Sequence, residues 1–216
     1  MSFEYTRSVG RAGTLLIVSL PLFALAMYVA AFLFGFLQNT PLFAAVFMPL
    51  SFSGQILFLL AMNRFSKYYE ARAIFRNALY GFTTAIAGSL ALFPITFGAL
   101  SYLRNILEAN PITPGTPPSV SIVIAFIAFF LIIWIATFLI ALVEGFFYRR
   151  AFYALAEKSG EHNFKQSGLF MFIGGLLMII AIGALLFFVG WIFAVLGFFS
   201  MKMASQSCSN QQTPSK

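Results

Sequence analysis

One acidic side chain, Glu144, stands at the end of a long apolar stretch and is followed by Tyr148, Arg149 and Arg150. A carboxylate within a membrane span is a candidate for proton or ion transfer. Because Glu144 comes at the end of its stretch, water or Arg149 can also reach it. We favour an ion pair at the membrane boundary over a proton relay.

Uncharged polar side chains form a second group of candidates. Gln55 follows Pro49, which bends a helix and frees a backbone carbonyl, and Thr83 and Thr84 lie in the next apolar stretch. Such a polar point suits either the lining of a solute pathway or an inert kink. We favour the kink, and keep Gln55, Thr83 and Thr84 with Glu144 as candidate intramembrane polar residues.

A third group is basic. Segment 63–77 is rich in arginine and aromatic residues, spaced so that a helix there would carry one cationic stripe. Long basic stems and aromatic rings both suit the boundary between acyl chains and headgroups. The candidate contacts for anionic lipid headgroups at the cytoplasmic face are Arg64, Lys67, Arg72, Arg76, Arg149 and Arg150.

The residues that most catalytic and metal sites need are scarce. The 216 residues include one His and one Cys, and no Asp. With one His, the chain cannot form a zinc site that needs two His or a haem site with two axial His. With one Cys and no Asp, it also cannot form a metal site from a Cys pair or an aspartyl catalytic site. We predict that the protein is not an enzyme and holds no metal or cofactor.

The composition indicates a membrane protein, since 61% of residues are hydrophobic and 9% are charged, against about a quarter charged in soluble domains. No charge occurs in 12–63, 77–103, 109–143 or 166–201. A helix crosses a bilayer in about 20 residues, so the first and last stretches each hold two spans. The predicted fold is an all-α polytopic transmembrane bundle of six helices. It forms one domain, 1–203, followed by a flexible polar tail at 204–216. The predicted spans are 12–37, 42–62, 77–103, 120–144, 166–182 and 186–202.

Turn-forming residues set these divisions. Thr40 and Pro41 suit the start of a helix, and the prolines of 108–118 require an extended loop. The fourth span continues beyond the membrane as an amphipathic helix that Gly160 caps. The last stretch divides near Gly183, because a single helix of that length would be about 54 Å long.

The basic residues also predict the orientation. With six spans, Arg104 lies on one side and all other Lys and Arg lie on the opposite side. Because basic residues accumulate on the cytoplasmic side, we place both termini in the cytoplasm and the protein in the cell membrane. This topology explains the net charge of +7 without nucleic acid as a partner.

Several motifs together resemble an archaeal family of multi-pass membrane proteins, domain of unknown function family 996. They are residues 11–16 (RAGTLL), 68–82 (YYEARAIFRNALYGF), 155–160 (LAEKSG) with Phe164 and Gly168, and 197–200 (GFFS). The resemblance implies a multi-helix membrane protein of an archaeon, and it brings no activity or catalytic residues with it.

Three functions remain open on this basis. We favour a non-enzymatic structural or accessory subunit that packs with other membrane subunits or with itself, because small residues such as Gly175 and Gly190 recur on helix faces. The alternative is a small-solute transporter or a substrate-capturing subunit of an uptake system, which predicts a polar cavity near Gln55, Thr83, Thr84 or Glu144. The third is binding of lipid headgroups by the basic segments.

Overall fold

The computed structural model describes residues 3–34, 40–109, 119–180 and 182–201, without the side chains of 20, 24–34, 40–48 and 51. Within these ranges the chain forms six helices and no strand: α1 Phe3–Phe34, α2 Thr40–Tyr68, α3 Arg72–Ala109, α4 Val120–Ser159, α5 His162–Leu177 and α6 Ile182–Ser200. This confirms the predicted all-α fold of six helices. Among the described helices, α3, α4, α5 with the turn after it, and α6 are long and apolar enough to cross a membrane.

The six helices close into a ring. Each helix packs against the next one in the chain, and α6 also packs against α1. At this closure Arg7 donates a hydrogen bond to the carbonyl of Met201 (2.8 Å), and Arg11 donates to those of Phe198 and Phe199 (3.0 Å each). The last carbonyls of a helix lack partners and favour a nearby cation, so these arginines stabilise the end of α6.

The turn between α2 and α3 is tight and corrects one prediction. The amide of Ala71 bonds the carbonyl of Ser66 (2.9 Å) and that of Glu70 bonds Lys67 (3.3 Å), the pattern of a Schellman motif. Glu70 takes the left-handed conformation (φ 51°), where glycine is usual. The predicted cationic stripe along 63–77 is therefore wrong, because the helix ends at Tyr68 and a second one starts at Arg72.

Two other predicted breaks are found in the structure. Gly160, with φ 70°, caps α4, and its amide bonds the carbonyl of Ala156 (2.9 Å). The last apolar stretch divides as predicted, but at a 3₁₀ turn, Met178–Ile180, that comes before the expected position, and Gly183 lies in the first turn of α6. The Ile179 carbonyl of this turn accepts a hydrogen bond from Trp134 Nε1 (2.9 Å). The polar loop predicted at 108–118 starts later than expected, because residues 108 and 109 still belong to α3, while 110–118 and the tail 204–216 lie outside the described residues.

Glycines allow the helix backbones to approach closely. A Cβ on Gly145 of α4 would lie 2.6 Å from the carbonyl oxygen of Met171, and one on Gly175 of α5 would lie 2.6 Å from that of Ala141. Gly174 approaches the backbone of α6 in the same way. Gly175, one of the small residues predicted to mediate helix packing, therefore does so, and Gly145 and Gly174, which the sequence analysis did not single out, add contacts between α4, α5 and α6.

Aromatic rings fill the centre of the bundle at the end where α1 starts and α6 stops. The ring of Phe58 lies 5.1 to 6.5 Å, between centroids, from the rings of Tyr148, Phe152, Trp191 and Phe198. All five side chains are buried. Because these residues come from α2, α4 and α6, this aromatic cluster joins helices across the ring.

Candidate functional site

The segments that carry the six candidate basic residues meet at one end of the bundle, which we call the basic end. Phe65 at the end of α2 stacks on Phe198 of α6 (5.9 Å), and Phe198 contacts Phe164 at the start of α5 (5.0 Å). Phe164 in turn stacks on Phe152 near the end of α4 (6.0 Å). The elbow between α2 and α3 and the segment around Arg149 therefore share one face, as the sequence predicts.

The basic residues divide among different surroundings on this face. Arg64 and Lys67 line a shallow groove of about 380 Å³ between α1 and α2, where the Arg64 guanidinium lies 4.7 Å from the ring of Tyr5. Arg72 is exposed at the start of α3 and lines none of the described grooves. The predicted headgroup contacts are thus not one continuous surface.

Arg149 is half-buried between α4 and α5. Its guanidinium lies 4.7 Å from the ring centre of Phe172 and 5.3 Å from that of Tyr153. The predicted ion pair between Arg149 and Glu144 is absent among the described residues, so that prediction is wrong. Arg149 points towards α5, while Glu144 lies on the helical stripe of Tyr148 and Leu155, which faces the core.

Arg76 and Arg150 come together in the largest described groove. It has a volume of about 690 Å³ and lies between the start of α3, the end of α4 and the start of α5, lined by Arg76, Asn77, Arg150, Tyr153, Glu157, Glu161, His162, Lys165 and neighbouring small residues. Within the described residues, the ion pairs are Arg7–Glu4 and Arg104–Glu108. The two arginines of this groove therefore have no carboxylate partner there.

Sequence reasoning missed part of this groove. Lys165, His162 and Asn77 also line it, yet Lys165 is far from Arg76 along the chain. The signal that could have found them is Gly160, because a helix that stops there lets the chain fold back beside Arg150. The sequence alone did not indicate which face of α4 the next helix would cover.

Tyr69 in the turn between α2 and α3 has a buried hydroxyl with no hydrogen-bond partner in the described part of the chain. Burial, with a smaller contribution from Tyr68, raises the pKa of Tyr69 to about 12. A tyrosine with its ordinary pKa of 10.0 is already neutral at physiological pH, and the raised pKa keeps Tyr69 neutral to higher pH, so it adds no negative charge to the basic end.

The intramembrane polar candidates do not form one site in the described structure. Gln55 lines a cleft of about 380 Å³ between α2 and α3, together with Ser89 and apolar side chains. Thr83 is exposed and donates a hydrogen bond to the carbonyl of Tyr80 (3.1 Å). Thr84 and Glu144 are half-buried, and neither lines the cleft of Gln55.

Comparison with known proteins identifies relatives of this chain. The chain is 27% identical to an uncharacterised protein of Methanocaldococcus jannaschii over 155 residues, which are 70% of this chain and 79% of that protein. No solved structure matches. A family described as "Protein of unknown function (DUF996)" matches residues 50–192, a range that includes the Gln55 cleft and the groove of Arg76 and Arg150. Since that match covers well over half of the sequence, the chain belongs to the DUF996 family.

Proposed function

We propose that this protein is a multi-pass protein of the cytoplasmic membrane that acts as a non-enzymatic structural or accessory subunit. In this role its helices pack against other membrane subunits or against a second copy. The basic end lies at the anionic headgroups of the cytoplasmic face, which agrees with its arginines and aromatic rings.

The outward face of α3 carries the proposal. Ala87, Ala91 and Gly98 are exposed, are four and seven residues apart, and so lie on one side of the helix. This side is turned away from Ala78, which is fully buried. Among the described residues, a Cβ on Gly98 would meet nothing within 4 Å. Small residues on a lipid-facing surface permit the close backbone approach that joins helices in membranes.

The aromatic cluster weighs against a solute pathway along the bundle axis. Phe58, Tyr148 and Trp191 converge from three helices and are buried, so a polar solute would have to displace packed rings at the basic end. A structural subunit has no need of such a path. The cluster therefore favours the packing role over transport.

Cysteine cross-linking in native membranes tests this proposal. Cys208 is the single cysteine, so a Cys208→Ser background permits one new cysteine at a time. We expect Ala91→Cys and Gly98→Cys to give a discrete cross-linked product, either a homodimer or a product with one membrane protein that mass spectrometry identifies. The control is Leu185→Cys on α6, a position that is 69% exposed and lacks the small-residue stripe. Equal cross-linking at Leu185, or none at α3, would refute the proposal.

Substrate capture is a second candidate, and the position of Glu144 favours it. Its carboxylate shares a stripe with buried Tyr148, Ala151 and Leu155, and it makes no ion pair within the described residues. An inward carboxylate suits a cationic solute. Saturable binding of tetraethylammonium to the purified protein, lost in Glu144→Gln and retained in Gln55→Leu, would support capture. A wild-type protein that does not bind this probe or small primary amines would remove the support.

A further inference from the structure

We propose that the groove between α3, α4 and α5 binds a phosphate group, either that of a lipid headgroup or that of a free phosphorylated molecule. The site is separate from the outward face of α3. The proposal therefore goes beyond the packing function and does not depend on it.

The first argument is the state of the two arginines. Arg76 and Arg150 are exposed, come from different helices and line one groove, and neither has a carboxylate partner in the described ranges. The ring of Phe146 holds the guanidinium of Arg150 at 4.3 Å. A planar guanidinium donates two parallel hydrogen bonds to a phosphate, so two arginines without carboxylate partners, one of them held by an aromatic ring, suit this ligand.

The start of α5 adds further positive potential. Lys165 lies in its first turn, with Nζ 6.0 Å from the ring centre of Tyr153. The N-cap residue of this helix, Glu161, makes no side-chain capping hydrogen bond in the described part of the chain. The positive end of the helix dipole then adds to the charge of Lys165 on the same side of the groove.

Two carboxylates also line the groove, and their positions determine where the phosphate lies. The Glu161 carboxylate accepts a hydrogen bond from Asn163 Nδ2 (2.8 Å). Glu157 lies seven residues beyond Arg150 on α4, or roughly 10 Å along the helix. The groove is therefore positive near the membrane and negative farther out, so the phosphate binds beside Arg76 and Arg150, and the carboxylates face hydroxyl or amine groups attached to it.

The height of the site relative to the membrane agrees with a phosphate at headgroup level. Arg76 immediately precedes the uncharged stretch 77–103, and Arg150 follows the apolar part of α4. A volume of about 690 Å³ is larger than one phosphate and leaves room for the rest of a headgroup or of a small phosphorylated molecule.

Native mass spectrometry of the delipidated protein in non-ionic detergent tests the site. The lipid probes are phosphatidylglycerol and diacylglycerol, which differ by the phosphate-bearing headgroup, and the soluble probe is inorganic phosphate. We expect a probe that carries phosphate to bind saturably and diacylglycerol not to bind. The variant Arg76→Gln with Arg150→Gln should weaken binding at least about tenfold, because hydrogen bonds to charged groups are lost.

Arg72→Gln is the matched control, because it removes the same charge one helical turn from Arg76 and outside the groove. We expect it to change the affinity less than about twofold. Saturable binding of inorganic phosphate alone would indicate a free phosphorylated ligand, and binding of phosphatidylglycerol at concentrations where inorganic phosphate does not bind would indicate a lipid. Either result supports the groove.

If Arg72→Gln lost as much affinity as the double variant, the proposal would be overturned, because the probe would then be attracted to the surface charge as a whole. The absence of binding by both phosphate probes, or unchanged binding in the double variant, would overturn it too. Melting temperatures without ligand check the fold of each variant. If the double Gln variant unfolds, Arg76→Lys with Arg150→Lys keeps the charge but removes the bidentate geometry, and should still weaken binding several-fold.

Discussion

At the basic end of the bundle, Phe58 is buried among four aromatic rings, and residues of α2, α4 and α6 meet across the ring. At the opposite end, large side chains of the same kinds face outward. Phe93 and Phe97 of α3 are 73% and 67% exposed, and Val120 at the start of α4 is 74% exposed. The two ends share an apolar, aromatic composition, and they differ in what surrounds the side chains.

This difference indicates which end of the bundle contributes most to the stability of the fold. In lipid, an exposed Phe is already in an apolar medium, so its burial adds little driving force, and stability comes from close packing and from satisfied polar groups. The basic end has both, in its aromatic cluster and in the arginines that bond the last carbonyls of α6. We therefore expect the basic end to dominate the free energy of unfolding.

The largest test of this contrast replaces one phenylalanine at each end. Phe58→Ala should lower the free energy of unfolding by about 3 kcal/mol or more, because it leaves a cavity among packed rings. Phe97→Ala removes the same atoms from an exposed site, and should change the free energy of unfolding by less than about 0.5 kcal/mol. Unfolding by sodium dodecyl sulfate in mixed micelles, followed by circular dichroism, measures both. Similar losses for the two variants would contradict the contrast.

A smaller effect is expected from adding one methyl group at a glycine. Gly145→Ala places a Cβ 2.6 Å from the carbonyl oxygen of Met171, and should lower the free energy of unfolding by about 1 to 3 kcal/mol. Gly98→Ala meets nothing within 4 Å and should stabilise α3 by up to about 1 kcal/mol, because alanine favours helix more than glycine does.

The same unfolding titration measures both glycine variants. Opposite signs would support the view that α4 and α5 are held by backbone contact and that α3 is open near Gly98. A loss of stability in Gly98→Ala would indicate that this glycine is already packed against something, and would link the measurement to the cross-linking proposed for the same face.

Much of the fold followed from residue types with strong local effects. Gly160 predicted the end of α4, and the length of the last apolar stretch predicted two helices. The elbow was harder, because Glu70 occupies a left-handed position where glycine is the usual signal, and the predicted stripe was therefore wrong.

The candidate site was only partly predictable for a different reason. Arg76 and Arg150 were identified as basic residues near the membrane, but their groove depends on how α3, α4 and α5 pack. The unpaired state of Glu144 likewise depends on the direction in which Arg149 points. Side-chain direction across three helices is set by tertiary packing, which spacing along one helix does not determine.

The smallest expected effect concerns one unsatisfied polar group at the basic end, the hydroxyl of Tyr69. The buried Tyr69 hydroxyl has no hydrogen-bond partner among the described residues, and an unpaired buried hydroxyl costs about 1 kcal/mol or more. Tyr69→Phe keeps the ring against Phe65 and should raise the free energy of unfolding by about 1 kcal/mol at neutral pH.

The pH dependence sharpens this prediction. The pKa of Tyr69 is raised from 10.0 to about 12, so between these values the unfolded chain releases the phenol proton and the folded chain keeps it. Below pH 10 the phenol is neutral in both states and its titration leaves the stability unchanged, whereas the free energy of unfolding falls as the pH rises from 10 towards 12. Tyr69→Phe should therefore lose less stability than the wild type over this interval, whereas Tyr80→Phe, at an exposed position on α3, should follow the wild type. If both variants show the same pH dependence of stability as the wild type, the Tyr69 hydroxyl is solvated, and the close packing of the basic end does not extend into the turn between α2 and α3.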